Sequence, residues 1–192
     1  MCQEEGASAV AIHWRTRADR YGGTRQVDKI AETKARLSIP VFANGDIVDL
    51  ESAAAMFDET SCDGLMIGRG AIRNPWMMLQ ISQWQRGLPL TQVTAQERRR
   101  IMLDYLEAMR VRIRANWNKS KVRESAVDAA ALGRLKMLAN QFCRALPEGR
   151  VFRQRVLRAR NITEVKGHIE EYFGLLEAHE AGTKGVFGGY AA

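Results

Sequence analysis

The chain has 192 residues, 46% of them hydrophobic and only 4 of them proline, which supplies a core and argues against a disordered polypeptide. It contains no apolar run of the ~18 residues that a membrane span needs and no charged, then apolar, then small-residue leader, so one or two domains in the cytoplasm, with no membrane partner, are expected. The net charge of +7 is concentrated: residues 98–160 carry 17 Lys/Arg against 5 Asp/Glu, residues 1–97 carry 10 against 12, and residues 161–192 carry 2 against 5. Such a middle third is a candidate surface for a polyanion, with a solvated helical face as the plainer alternative.

From residue 9 to about 80 the pattern is a short apolar strand, a loop and an amphipathic helix, repeated. "AVAIHW" precedes "QVDKIAETKARL", "IPVFANG" precedes "DLESAAAMFDET", and "CDGLMIGRG" precedes "NPWMMLQISQWQ". The strand candidates are near-continuous apolar runs, the pattern of strands covered on both faces, which predicts parallel α/β architecture. "RGLPLT" at 86–91 reads as a linker. Beyond it strand signals cease: Thr94 and Glu97 have capping-box spacing and open "QERRRIMLDYLEAMRVRIR", and further helical stretches run to about 180. The tail "GTKGVFGGYAA" is glycine-rich. Domains are therefore expected at 1–88 (partial α/β barrel) and 89–180 (helical), with a loose tail at 181–192. Cys2, Cys62 and Cys143 are odd in number and scattered, so free and mostly buried thiols are expected rather than disulfides or a metal site.

The repeat can be measured. His13 to Asn44 is 31 residues and Asn44 to Gly68 is 24, near the roughly 30 residues per unit of an eight-unit barrel, in which chemistry lies at the C-terminal strand ends. Those ends are "HWRTR", "NGD" and "GRGA", the most polar and glycine-rich places in this half. In "GLMIGRGA", Gly68 and Gly70 allow close backbone approach to an anion and Arg69 can fork onto two phosphate oxygens, with Pro75 near the start of the next helix. An ordinary tight turn is the structural alternative. In "FANGD", Asn44 suits the mixed edge of a heterocycle, and Asp46 can orient Arg69 or a ribityl hydroxyl. The alternative there is an Asn-Gly turn with Asp46 capping the following helix. His13 can be a ligand contact or a structural histidine, and Arg15 and Arg17 can be solvated.

Together "AVAIHWRTR", "IPVFANGDI", "CDGLMIGRGAIRNPW" and "GRLKMLANQF" resemble the C-terminal half of a tRNA-dihydrouridine synthase over residues 6–180. The last motif, with Arg134 and Lys136 two apart on a basic helix, looks most like the bacterial C-type branch that modifies the D-loop. The resemblance implies the C-terminal part of a TIM (β/α)8 barrel, about three βα units, followed by an all-α tRNA-binding domain. It implies FMN as cofactor, NADPH as reductant, tRNA as partner, no metal, a monomeric full-length enzyme, and reduction of the uridine C5–C6 bond. It places His13 at the isoalloxazine with Arg15 beside it, Asn44, Gly45 and Asp46 at the ribityl and phosphate region, Gly68 and Arg69 at the phosphate, and Arg134 and Lys136 on tRNA.

Two departures stand out. Trp14 occupies the family's usual small position between histidine and arginine, and can project toward substrate or pack against the flavin. The family's N-terminal cofactor loop, its flavin-neutralising lysine and its general-acid cysteine have no counterpart here; Cys2 lies only 11 residues before His13, in the wrong context. About five of eight units, or roughly 150 residues, are then missing, which would leave two open sheet edges and one uncovered face. The expectation is a C-terminal portion that does not itself reduce uridine, and no catalytic residue is assigned within it. A non-enzymatic RNA-binding fragment and another FMN-dependent barrel oxidoreductase are the rivals; the latter leaves the basic helical segment unexplained.

Overall fold

The computed structural model describes residues 2–16, 25–117 and 123–182. Arg17 and most of the C-terminal tail lie outside them. The chain divides into two units, residues 1–91 and 92–192.

The first unit is α/β. Strand β1 (Val10–His13) leads to helix α1 (Asp28–Arg36), β2 (Val41–Asn44) to α2 (Leu50–Thr60), and β3 (Gly64–Met66) to α3 (Arg69–Arg73) and α4 (Met77–Gln85). Each crossover carries a helix, so the strands run parallel, in the order β1-β2-β3. Register sets His13 beside Asn44 and Asn44 beside Met66, aligning the three strand ends. The opposite edge is pinned by Asp63, whose carboxylate accepts the Val41 N–H at 2.8 Å and the Lys34 ammonium at 2.7 Å, tying α1 to the sheet.

One face of this sheet is covered. Val41 and Ala43 are fully buried with Ile30, Ala53, Met56 and Ile81 from the helices. The alternate positions are not: Phe42 is 36% and Met66 56% exposed, and Ala11 and His13 also face solvent. The near-continuous apolar runs predicted cover on both faces; among the described residues only three strands and no closed barrel are present, so one face stays open. Helix α2 is closed by a capping box in which Asp49 accepts the Ser52 N–H at 2.8 Å and the Ser52 hydroxyl bonds back. The cap is therefore Asp49 and not Asp46, as the Asn-Gly alternative had it. Hydrogen bonds from Ser52 hold the Asp49 carboxyl below its ordinary value.

The second unit is all helical: α5 (Ala95–Asn116), α6 (Glu124–Phe142), a short 3-10 turn (Cys143–Ala145), α7 (Gly149–Arg158) and α8 (Ile162–Glu180). Thr94 and Glu97 form the capping box that their spacing indicates. Phe142, Phe152, Tyr172 and Phe173 are fully buried. Phe152 stacks on Tyr172 at 4.1 Å between centroids while Phe173 meets both edge-on, an aromatic centre that fixes how α7 and α8 pack. The Ala95 N–H donates to the Glu180 carboxylate at 3.0 Å, joining the first turn of α5 to the last of α8. The basic stretch 134–160 runs through the second half of α6, the 3-10 turn and α7. No helix among the described residues is long and apolar enough to cross a membrane, and no group of three or more His, Cys, Asp or Glu could hold a metal ion.

Candidate functional site

The aligned strand ends form a cleft of about 140 Å³ lined by His13, Asn44, Gly45, Asp46, Gly68 and Arg69, among others. Its centre is Asp46. Gly45 turns the chain out of β2 with φ +120°, a conformation that glycine alone adopts readily, and Asp46 follows at φ +49°. That turn aims the Asp46 carboxylate at two guanidiniums: Arg15, 2.7 Å away, and Arg69, 2.9 Å away. The two arginines differ. The Arg15 side chain is 14% exposed and that of Arg69 is 51% exposed, so Arg15 sits behind Asp46 and Arg69 lines the rim.

Arg15 is also held from below. Its guanidinium carbon lies 4.1 Å from the centroid of the Trp14 ring, a cation–π stack. Trp14 is only 5% exposed and packs in the core of the first unit, beneath the Gly45 turn. The Arg15 backbone N–H donates to Nδ1 of His13 at 3.0 Å, which makes Nδ1 an acceptor and leaves Nε2 as the imidazole's donor. Asn44 donates its side-chain N–H to the Met66 carbonyl, bracing β2 against β3, so half of its amide edge is spent on structure.

On the third strand end, Gly68 caps α3 and Gly70 packs against the β2–α2 connection, where a Cβ would come within 2.1 Å of the Ile47 carbonyl oxygen. Gly70 thus serves close backbone packing, and Gly68, with nothing near its absent side chain, keeps the cleft open beside Arg69. Helix α3 begins inside "GRG", at Arg69, and ends at Arg73, and Pro75 stands two residues before α4.

The structure brings His13, Arg15, Asn44, Gly45, Asp46, Gly68 and Arg69 to one sheet end. Three features were not legible in the motifs: the burial of Trp14, the sharing of Asp46 between two arginines, and two orphaned donors. Trp14 Nε1 and Arg15 Nε are buried without a hydrogen-bond partner among the described residues, adjacent in sequence and both beside the Gly45–Asp46 turn. The Arg69 guanidinium at the rim, Arg15 behind Asp46 and the two glycines suit an oxyanion.

The helical unit sorts its arginines. Arg99, Arg110, Arg114 and Arg155 are consumed in ion pairs with Glu170, Asp128, Glu124 and Glu171. Arg134, Arg150 and Arg158 are exposed and form no ion pair among the described residues. Lys136 is only partly exposed, and its ammonium donates to the Ala159 carbonyl at 2.7 Å, at the C-terminal end of α7. Of the two residues singled out for tRNA, Arg134 is available and Lys136 is engaged in joining α6 to α7.

Comparison with known proteins gives the same direction. A sequence model of the dihydrouridine synthase family matches residues 1–164. The chain is similar to the tRNA-dihydrouridine synthase B of Pseudomonas putida (43% identical over 112 residues, 57% of this chain and 33% of the relative) and to that of Pseudomonas syringae pv. tomato (42% over 112 residues, 58% and 33%). It is also similar to that of Shewanella oneidensis, 39% identical over 107 residues covering 55% of this chain and 33% of the relative. The chain spans about a third of the length of each relative along these matches.

Proposed function

The chain belongs to the dihydrouridine synthase family, and we propose that it supplies the cofactor-phosphate wall and the tRNA-binding helices of an FMN-dependent tRNA-dihydrouridine synthase, an oxidoreductase that uses NADPH to reduce the C5–C6 bond of a D-loop uridine. In this reading the α/β unit is the C-terminal part of a TIM barrel, and its strand ends face the barrel mouth. The observation that carries it is the Arg15–Asp46–Arg69 chain beside Gly68 at the shared end of three parallel strands.

The residues fit the phosphate end of FMN. Two guanidiniums and the glycine backbone favour a dianion. The cleft of about 140 Å³ is smaller than the roughly 300–1,000 Å³ of cofactor pockets, so the described residues form one side of the site: the phosphate and ribityl end, with His13 and Asn44 toward the ring. When bound, FMN supplies a hydride for C6 of the uridine. His13, with Nδ1 committed to the Arg15 amide, offers its Nε2–H to an acceptor at the cleft mouth. Asp46 holds Arg15 and Arg69 at fixed spacing, so their charges need no reorganisation when the phosphate arrives. A stacked uridine cannot enter a strand-end cleft and must be flipped out, and exposed arginines such as Arg134, Arg150 and Arg158 hold the tRNA backbone during that extrusion.

The test is a titration of the 192-residue chain with FMN and with riboflavin, which lacks the phosphate, followed by flavin fluorescence. FMN binds more tightly than riboflavin, and Arg69→Ala removes about tenfold or more of that advantage. Equal affinity for the two flavins in the parent chain overturns the phosphate assignment. A tRNA gel shift over increasing salt completes the test: binding weakens steeply if phosphates are held, whereas a binder of small flavins alone shows no shift.

A further inference from the structure

Trp14 is the one residue at the strand ends that breaks the motif it sits in. A buried indole with an unpartnered N–H is costly, and a small residue at this position would avoid it. The space below the Gly45 turn is filled by that ring: a Cβ on Gly45 would lie 2.4 Å from Nε1 and 2.5 Å from Cδ1. Arg15 lies across the ring at 4.1 Å, Asp46 takes Arg15 at 2.7 Å, and Arg69 takes Asp46 at 2.9 Å. The contacts run in series from the core to the rim of the cleft.

We propose that Trp14 is a positioning residue for recognition of a phosphate monoester: its ring face orients Arg15, Arg15 and the Gly45 turn orient Asp46, and Asp46 orients Arg69. The proposal rests on the reading of this cleft as the phosphate end of a flavin nucleotide site, and goes beyond it by assigning the affinity for the phosphate to a residue that does not touch the ligand. The aromatic face, not the indole N–H, does this. A planar guanidinium keeps its N–H donors in its plane and stacks through its two faces, so the Trp14 ring fixes the plane in which Arg15 presents its donors; without that ring Arg15 retains only the Asp46 contact on a flexible stem. Asp46, 38% exposed, would then be shared between water and two mobile cations.

The side chains at this position separate the possibilities. Trp14→Phe keeps an aromatic face and deletes the orphaned donor, so the protein melts at or above the parent temperature and keeps its preference for FMN over riboflavin to within about threefold. Trp14→Leu fills much of the space without a π face, and lowers that preference about tenfold while riboflavin affinity is unchanged. A general packing role would instead weaken both flavins together. The proposal is overturned if Trp14→Leu, folded by circular dichroism, retains the parent preference, or if Trp14→Phe loses it as fully as Trp14→Leu. Should Trp14→Leu fail to fold, inorganic phosphate added to the parent chain provides the second measurement. The Trp14 contribution to tryptophan emission, obtained by difference from Trp14→Phe, changes with phosphate if the stack is coupled to the anion, and an emission unmoved at saturating phosphate refutes the coupling. A parent chain with no preference for FMN over riboflavin refutes the phosphate reading of the cleft and this inference with it, whereas a preference that survives Trp14→Leu refutes the inference alone.

Discussion

Gly45→Ala puts a methyl group into the Gly45–Trp14 contact and tests the geometry on which the site depends. At φ +120° the new residue carries backbone strain of about 1–3 kcal/mol. Its Cβ would meet Trp14 Nε1 and Cδ1 at 2.4 and 2.5 Å, so the buried indole must shift, an overpacking term of about 1–3 kcal/mol. The sum, about 4 kcal/mol, lowers the melting temperature of a unit of this size by roughly 15–30 °C. Urea unfolding followed by circular dichroism measures the loss, and hydrogen exchange at β2 assigns it to the first unit. The two contributions separate in a cycle with Trp14→Ala: the ring is then absent, only the backbone strain remains, and the penalty of Gly45→Ala falls by about 1–3 kcal/mol. A penalty below about 0.5 kcal/mol, or one that is identical with and without Trp14, refutes the reasoning.

Asp49→Ala removes the α2 cap and costs about 1 kcal/mol at neutral pH. Because Ser52 lowers the carboxyl pKa in the folded state, the cap's contribution is complete above the ordinary carboxylate value and fades as pH falls through the lowered one; chemical denaturation at pH 7 and pH 3 should show the parent and Asp49→Ala converging. Lys136→Ala and Arg134→Ala part company: the first loses the charge-assisted bond to Ala159 and about 1.5 kcal/mol in a urea melt, while the second leaves stability within about 0.5 kcal/mol, weakens tRNA binding and reduces the slope of log K against log salt by about 0.7–0.9. Burial pushes the Cys143 thiol up to about 12, and Cys62 is buried too, so iodoacetamide at pH 8 followed by mass spectrometry finds rapid alkylation at the exposed Cys2 alone in the folded chain and at all three thiols in denaturant.

Much of the α/β unit could be read from the residues because local pattern and topology agree there. The strand-helix alternation, the parallel order and the convergence of His13, Asn44 and Gly68 on one sheet end follow from the repeat, since each strand must return in the same direction after its helix. Helix α3 could not be read: five residues with a glycine inside carry no period, and it forms where Gly70 fits against the Ile47 carbonyl, a contact invisible to spacing. The face of the sheet that each apolar residue occupies was equally hidden, because "VFAN" reads as apolar whether Phe42 is covered or open. Asp46 and Asp49 compete for one capping role three residues apart, and only the left-handed turn at Gly45 decides that Asp46 faces the arginines. Lys136 shows the limit of charge counting: it adds to the basic total of its segment yet spends that charge on a backbone carbonyl.

The bond between Ala95 and Glu180 has an architectural meaning. Two positions 85 residues apart meet at hydrogen-bond distance, so the helical unit is entered and left at nearly the same point in space. A module whose ends coincide behaves as a cassette. It can be spliced into a surface loop of a host protein, or circularly permuted by joining its ends and opening an exposed connection, without stretching its core. The joined ends would also lose less entropy on folding than a random pair of that separation, because the loop they close is already closed. The RNA affinity proposed for the helices would then travel with the cassette into a scaffold that has none.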